Sequence, residues 1–453
     1  MTSSLAPAPN VSHSAGGSVR SWAGFAILMA IGLYMYADRQ ILTLQTEEIR
    51  KALLLSDFQI GMVQGFSVAV FAAVVGYPIA WLADRYDKRY VLAISIIVWS
   101  ASVAACGLAR TFTELFIASA MVGAGEAGLL PITYAAIPAL FSGRARVLAN
   151  SLVVILGRIG SGLVIAGCGL LVGTIANSHS AMPLELQHFG TWQLALLALA
   201  LPGPLFALLA LFLRFQMAKP EASPLKSASG SSNTASPMPF LKSHAGTFAS
   251  FYLGVGMIVF SMSALGAFLP VVAMRQMGAT PAEVGAGLGT ATLISTILSM
   301  LAVVGGNSWL VRRFGAVVAI RLLTIASIAG AITTPLFILA QTPVHIFGLM
   351  GLSFLFLSTG VMFFPQALQD LTPEPSRARL ISIVIMVNIV MSALAAPVAG
   401  LLSDHLKHLS NGLLIASVST ATIGLSISAL CLLRCAVSYL STVEAARAAE
   451  VTP

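Results

Sequence analysis

Twelve runs of apolar and small residues, each about as long as a helix needs to cross roughly 30 Å of hydrocarbon, constrain this chain more than any other feature. They fall at about 21–45, 59–82, 90–109, 112–138, 148–173 and 192–214, and again at about 248–272, 284–305, 317–340, 343–368, 379–402 and 412–434. Backbone inside lipid must satisfy its own polar groups, and runs of this length do so as helices. The expected fold class is an all-α membrane protein with twelve transmembrane helices in two six-helix halves. Charged residues make up 9% of the chain and hydrophobic ones 57%, whereas soluble domains carry about 25% charged residues. The formal net charge of +8 does not point to nucleic acid, because the basic residues are scattered over short loops and form no patch with interleaved aromatics.

The runs divide the chain. Residues 1–20 are rich in Ser, Ala, Pro and Gly, show no cleavable leader, and read as a disordered tail. A first half at 21–214 is followed by a polar, low-complexity segment at 215–247, read as a flexible linker. A second half at 248–434 precedes a short tail at 435–453. Of the 24 Lys and Arg, Arg39 and Arg158 are embedded and only Arg50, Lys51, Arg110, Arg275 and Lys407 fall opposite the termini. The positive-inside rule then places both termini and the linker in the cytoplasm, in an inner (cytoplasmic) membrane. The four cysteines, Cys106, Cys168, Cys431 and Cys435, make no metal-type spacing. Neither a metal nor a cofactor is expected.

Four ionisable residues lie deep in the runs, Asp38, Arg39, Glu126 and Arg158. Their charges cancel, as the penalty for burying an unpaired charge requires. A carboxylate at mid-membrane costs roughly 2.5 to 3.5 kcal/mol even on the lenient insertion scale, so it faces a protein interior or a wet cavity and has a partner. Glu126 sits among Gly123, Gly125 and Gly128, which would admit a neighbouring helix or a ligand close to the backbone. No histidine lies deep in a run, so a proton carrier would be a carboxylate, Glu126 or Asp38. Tyr34, Tyr36, Gln64, Tyr134, Phe363, Gln366 and Asn388 could line the same cavity or serve as ordinary packing.

Two six-span halves match secondary transporters that rock about a midplane site. The loop Gly76-Tyr-Pro-Ile-Ala-Trp-Leu-Ala-Asp84-Arg85-Tyr-Asp87-Lys88-Arg89 resembles the Gly-x-x-x-Asp-Arg-x-Gly-Arg-Lys/Arg loop of the major facilitator superfamily, with Asp87 where the family has Gly. Asp84, Arg85, Lys88 and Arg89 can form a charge network that latches the cytoplasmic side in one state. The matching segment of the second half, Gly305-Gly-Asn-Ser-Trp-Leu-Val-Arg312-Arg313-Phe-Gly315, lacks the Asp, and Leu402-Ser-Asp404 echoes the pattern after the eleventh run. Within the superfamily the chain is similar to spinster-like transporters and organic-anion symporters through Tyr36-Ala-Asp38-Arg39, Leu55-Ser-Asp-Phe-Gln-Ile-Gly61, Gly123-Ala-Gly-Glu-Ala127, Trp192-Gln-Leu-Ala, Leu201-Pro-Gly203, Asn388 and Ala396-Pro397. It departs from many of them in carrying Ser119 and Gln193 where they have Arg.

The resemblance implies a secondary transporter that moves a small molecule by alternating access and acts as a monomer in the bilayer. An enzyme is not indicated, for there is no His pair at helical spacing, GxSxG elbow or Walker loop. A channel or receptor would not need the latch loop. Proton-coupled uptake of an organic anion is the first expectation, and export of an amphipathic or lipid-like molecule by proton exchange the alternative. Arg158 is expected to anchor the anion through its two-pronged guanidinium, or else to be a permanent partner of Glu126. Arg39 is the second cationic candidate.

Overall fold

In the computed structural model, which describes residues 19–141, 143–213, 237–373 and 377–451, the described secondary structure is helical throughout. Eleven described helices are long and apolar enough to cross a membrane. The twelfth crossing, 112–140, escapes that criterion because a turn at Ala127 and Gly128 splits it into Phe112–Glu126 and Leu129–Leu140. We number the crossings α1 (Val19–Leu44), α2 (57–85), α3 (Lys88–Leu108), α4 (112–140), α5 (Gly143–Ser178), α6 (Thr191–Leu211), α7 (Ala245–Met277), α8 (Pro281–Phe314), α9 (Val318–Leu339), α10 (Pro343–Leu371), α11 (Arg377–His405) and α12 (Gly412–Val451). The first and last described residues, Val19 and Val451, lie on one face, the terminal face. The other is the far face.

Local chemistry sets several ends. Ser56 opens α2 with a reciprocal cap, its hydroxyl accepting from the Gln59 amide while the Gln59 side chain accepts from the Ser56 amide. Gly278, at φ 70°, closes α7 in the left-handed region that a side chain would resist. Three crossings are interrupted near the embedded charges: α1 turns at Tyr36, α2 carries a π-helical stretch at Met62–Ser67, and α4 breaks directly after Glu126. Such interruptions gather at functional sites.

Two boundaries differ from the sequence expectation. The last part of the stretch read as linker is ordered, with Pro237–Ser243 forming a short helix and α7 starting at Ala245. The stretch 435–453, read as a tail, continues α12 as far as Val451. The reason is a buried face at helical spacing: Cys435, Tyr439, Val443 and Ala446 are all buried, and the Tyr439 hydroxyl donates to Ala367 O of α10 at 3.3 Å.

The cores divide unevenly between the faces. One cluster joins the halves, bringing Leu42, Leu44 and Ile49 together with Leu265–Ala273, Ala396, Ala399 and Leu413. All its members from the second half come from the far-face portions of their helices. Towards the terminal face each half has a private cluster, Phe25, Ile137 and Phe141 in the first, and Phe248, Phe251, Phe363 and Tyr439 in the second. The halves are therefore closed at the far face. Backbone contact tightens that closure where α5 crosses α8: a Cβ built on Gly169 would lie 2.8 Å from the Gly285 Cα, and one on Gly285 would lie 2.7 Å from the Gly169 Cα. A Gly169→Leu variant is expected to pry the helices apart, at about 1–3 kcal/mol of overpacking. It should show as a lowered unfolding temperature and faster labelling, from the far side, of a cysteine introduced at Thr43 in the cavity lining.

Candidate functional site

The breaks in α1 and α4 bring two of the four embedded charges into contact. Arg39, one turn after the Tyr36 bend, places a guanidinium nitrogen 2.5 Å from a Glu126 carboxylate oxygen at the end of the first segment of α4. The Arg39 side chain is 47% accessible and that of Glu126 17%. That accessibility is to cavities inside the protein, since Arg39 lines both a cavity of about 320 Å³ between the halves and one of about 290 Å³ within the first half, and Glu126 lines the second. The planar fork of Arg39 has donors left over for a second acceptor.

Asp38 precedes Arg39 and points elsewhere, as a 100° step per residue requires. It is 1% exposed, and neither carboxylate oxygen has a hydrogen-bond partner among the described residues. It lies within electrostatic reach of Glu126 and Arg39. Cys106, on α3, contacts the Ser119 hydroxyl at 3.6 Å, and Cys168, on α5, contacts Ala37 O at 3.5 Å. Ser119 is fully buried. The expected charge balance thus resolves into one formed pair, one acid with no partner among the described residues, and Arg158, whose side chain lies outside the described residues, as does that of Tyr134.

Other sequence candidates disperse. Tyr34 does not line either cavity: its ring stacks on Phe206 at 4.5 Å and meets Trp99 edge-on at 4.8 Å, and its hydroxyl donates to Leu199 O. It is a packing residue that fastens α1 to α6. Gln366 and Asn388 also lie outside both cavity linings, and Phe363 is buried in the core of the second half. Tyr36 and Gln64 do line the central cavity. Gln64 donates from Nε2 to the Thr46 hydroxyl at 2.5 Å, Thr46 having passed its own proton to Leu42 O at 2.8 Å. Overlooked by sequence reasoning were Gln40 and Thr43 on α1 and the hydroxyl residues Ser263, Thr292 and Ser392 on α7, α8 and α11. For Gln40 and Thr43 the signal available was their one-face spacing with Tyr36 and Arg39.

The terminal-face loop is turned in on itself. Asp87 caps α3, accepting from the Arg89 amide at 3.0 Å and from the Arg89 guanidinium at 2.9 and 2.6 Å. This explains how a carboxylate replaces the family's glycine. The Arg89 hydrogen bonds hold the Asp87 carboxyl below the usual range. Arg85 lies over the Trp81 ring at 5.1 Å, Lys88 opens α3, and Gly76 faces Ala127 at the α4 break. The side chain of Asp84 lies outside the described residues.

Among the described residues, the ionic closure between the halves lies on the far face. Arg275, at the end of α7, reaches Glu47 at 2.7 Å and grips Asp57 with two bonds of 3.0 and 2.8 Å. Asp57 also accepts from the Ser403 hydroxyl at 2.7 Å, and Asp404 accepts from the amides of Asp57 and Phe58 at the N-terminus of α2. Arg50 adds a bond to Glu47 at 2.8 Å. Residues 46–57 of the first half are thus fastened to the ends of α7 and α11.

Comparison with known proteins shows the family and the fold. The sequence profile of the Major Facilitator Superfamily matches residues 19–396. The chain is 28% identical over 290 residues to a protein named MFS-type efflux pump from Mycolicibacterium smegmatis, a match covering 63% of this chain and 62% of that one. It is 30% identical over 194 residues to protein spinster homolog 3 of Danio rerio, covering 41% and 37%. These matches span less than two thirds of either relative. The crystal structure of a bacterial homolog to the human lysosomal transporter spinster superposes with a TM-score of 0.70 at 20% identity, covering 97% of this chain and all of that one.

Proposed function

Because the chain belongs to the major facilitator superfamily and is a multi-pass transporter of small molecules, we propose that it carries an organic anion together with a proton. The terminal face is taken as cytoplasmic on the distribution of Lys and Arg, in an inner membrane. The observation that carries the reading is Asp38, a buried acid with no donor at either oxygen among the described residues, beside the Arg39–Glu126 pair. Without donors a carboxyl group is stable in such surroundings as the neutral acid. Among the described residues the site then holds one cation, Arg39, and one anion, Glu126. An entering carboxylate that takes the free donors of Arg39 would leave a net negative charge in a poorly solvated cavity. A proton taken up by Glu126 as its hold on Arg39 weakens restores neutrality. Anion and proton therefore travel together, and Arg39 takes the anchoring role first assigned to Arg158.

Export of an amphipathic molecule is the second reading. It is favoured by the apolar cavity of about 290 Å³ that opens beside Arg39 and is walled by Leu28, Leu33, Leu129 and Val153.

An Asp38→Asn variant tests the first reading in proteoliposomes. No hydrogen bond among the described residues is lost, and the amide keeps the charge count of a protonated Asp38, so folding, anion exchange and accumulation driven by a pH gradient are all expected to persist. Loss of gradient-driven accumulation with exchange intact would move the proton from Glu126 to Asp38 and overturn the scheme.

A further inference from the structure

We propose that Ser263 and Ser392, with Thr292 beside them, form a second subsite on the wall opposite Arg39 that takes an uncharged hydroxyl or carbonyl group of the transported molecule. The acid end of that molecule rests on the reading given above. The hydroxyl end rests on different residues. Ser263 Oγ and Ser392 Oγ, from α7 and α11, lie 2.9 Å apart, and all three residues line the cavity between the halves.

Their bonding sets them apart from their neighbours. Ser261, two residues earlier on α7, returns its proton to Met257 O at 2.9 Å, and Ser417 and Thr324 likewise bond the carbonyl four residues back. This is the usual way a helix silences a hydroxyl in an apolar span. Ser263 and Ser392 bond only each other among the described residues. Two hydroxyls bring two protons and four lone pairs, and their mutual bond uses one of each. One proton and the remaining lone pairs face the cavity. Such a pair can donate to and accept from the same ligand group. The rest of this wall is apolar, with Met262, Met350 and Phe354, and no charged residue of the second half lines the cavity among the described residues. A second carboxylate or phosphate would find no counter-charge there. A cavity of about 320 Å³ holds the liquid volume of about ten waters. The fitting class is a short monoanionic acid bearing hydroxyl groups, bridging the halves from Arg39 to the serine pair.

The test measures binding of three probes to the purified full chain by calorimetry: gluconate, hexanoate of the same carbon count without hydroxyls, and sorbitol without the acid. The parent is expected to bind gluconate on the order of tenfold more tightly than hexanoate, as about one net hydrogen bond per hydroxyl contact implies. The Ser263→Ala/Ser392→Ala variant should bring that ratio near one with hexanoate affinity unchanged, and Ser261→Ala should leave it intact. Should the double variant fail to fold, Ser392→Ala alone is expected to lower the ratio about threefold. A preference that survives these changes, or equal binding of gluconate and hexanoate by the parent, overturns the subsite. Sorbitol binding that the double variant loses, with neither acid bound, would uphold the subsite and reject the anion reading. Failure of all three probes to bind overturns it.

Discussion

A Glu126→Gln variant is expected to lose accumulation driven by a pH gradient entirely and to unfold at a lower temperature than the parent. Both effects follow from its contact with Arg39 at 2.5 Å. Removing one partner of a buried ion pair leaves the other charge uncompensated, which costs about 3–5 kcal/mol where burial is complete. The accessible 47% of the Arg39 side chain admits water, so a loss at or below about 3 kcal/mol is expected here. Pairing the change with Arg39→Met should recover much of the lost stability, because the orphaned cation goes too. It should not recover transport. Strictly additive stability losses in the two single variants and the double would show that the two side chains do not act as a pair.

Arg275→Ala is expected to open the far face. It strips one cation from two carboxylates, Glu47 and Asp57, whose side chains are 11% and 9% accessible. A cysteine placed at Thr43, in the cavity lining, and probed in a background lacking the four native cysteines, should react with an impermeant maleimide from the far side at least tenfold faster. Tenfold corresponds to about 1.4 kcal/mol of population shift, a modest share of what the network contributes. An unchanged labelling rate would mean that the apolar core alone holds this face shut. The network is also acid-sensitive in a defined sense. Burial works to raise the Glu47 carboxyl, but hydrogen bonds from Arg50 and the charge of Arg275 outweigh it and leave it below its ordinary value. A lowered carboxyl gives stability that is present above the ordinary value and lost only as pH falls through the lowered one. The closure should therefore hold at neutral pH and loosen only in acid below the usual glutamate range.

Fold class and the embedded pair were legible in the chain because both rest on local rules. Spanning length and the scarcity of charge dictate helices, and a buried Glu demands a cation somewhere near. Which cation was not legible. Arg39 and Arg158 were equally embedded in sequence, and the bends at Tyr36 and after Glu126 are what bring Arg39 to Glu126. The far-face closure escaped for a similar reason. Arg275, Asp57 and Asp404 each stand at a span end, where a charge is ordinary, and their meeting depends on three helix ends from separate parts of the chain. The terminal-face loop matched a family pattern strongly enough to draw attention, yet its Asp87 and Arg89 bond each other within the turn. The extension of α12 was lost to charge: Glu444 and Arg447 look like tail residues until Tyr439, Val443 and Ala446 are seen to share a buried face.

The uneven placement of the cores has a thermal consequence. Opening the far face hydrates apolar side chains that both halves now share, from Leu42 and Ile49 to Leu269 and Ala399, so that step carries a positive heat-capacity change and grows more sensitive to temperature as apolar hydration does. The clusters near the terminal face stay within their own halves and have little apolar surface to exchange when that side seals. We expect sealing there to fall to the polar loop around Arg85 and Arg89, whose charges dissolved salt screens over about 8–10 Å. Turnover should accordingly respond to warming through one half of the cycle and to ionic strength through the other.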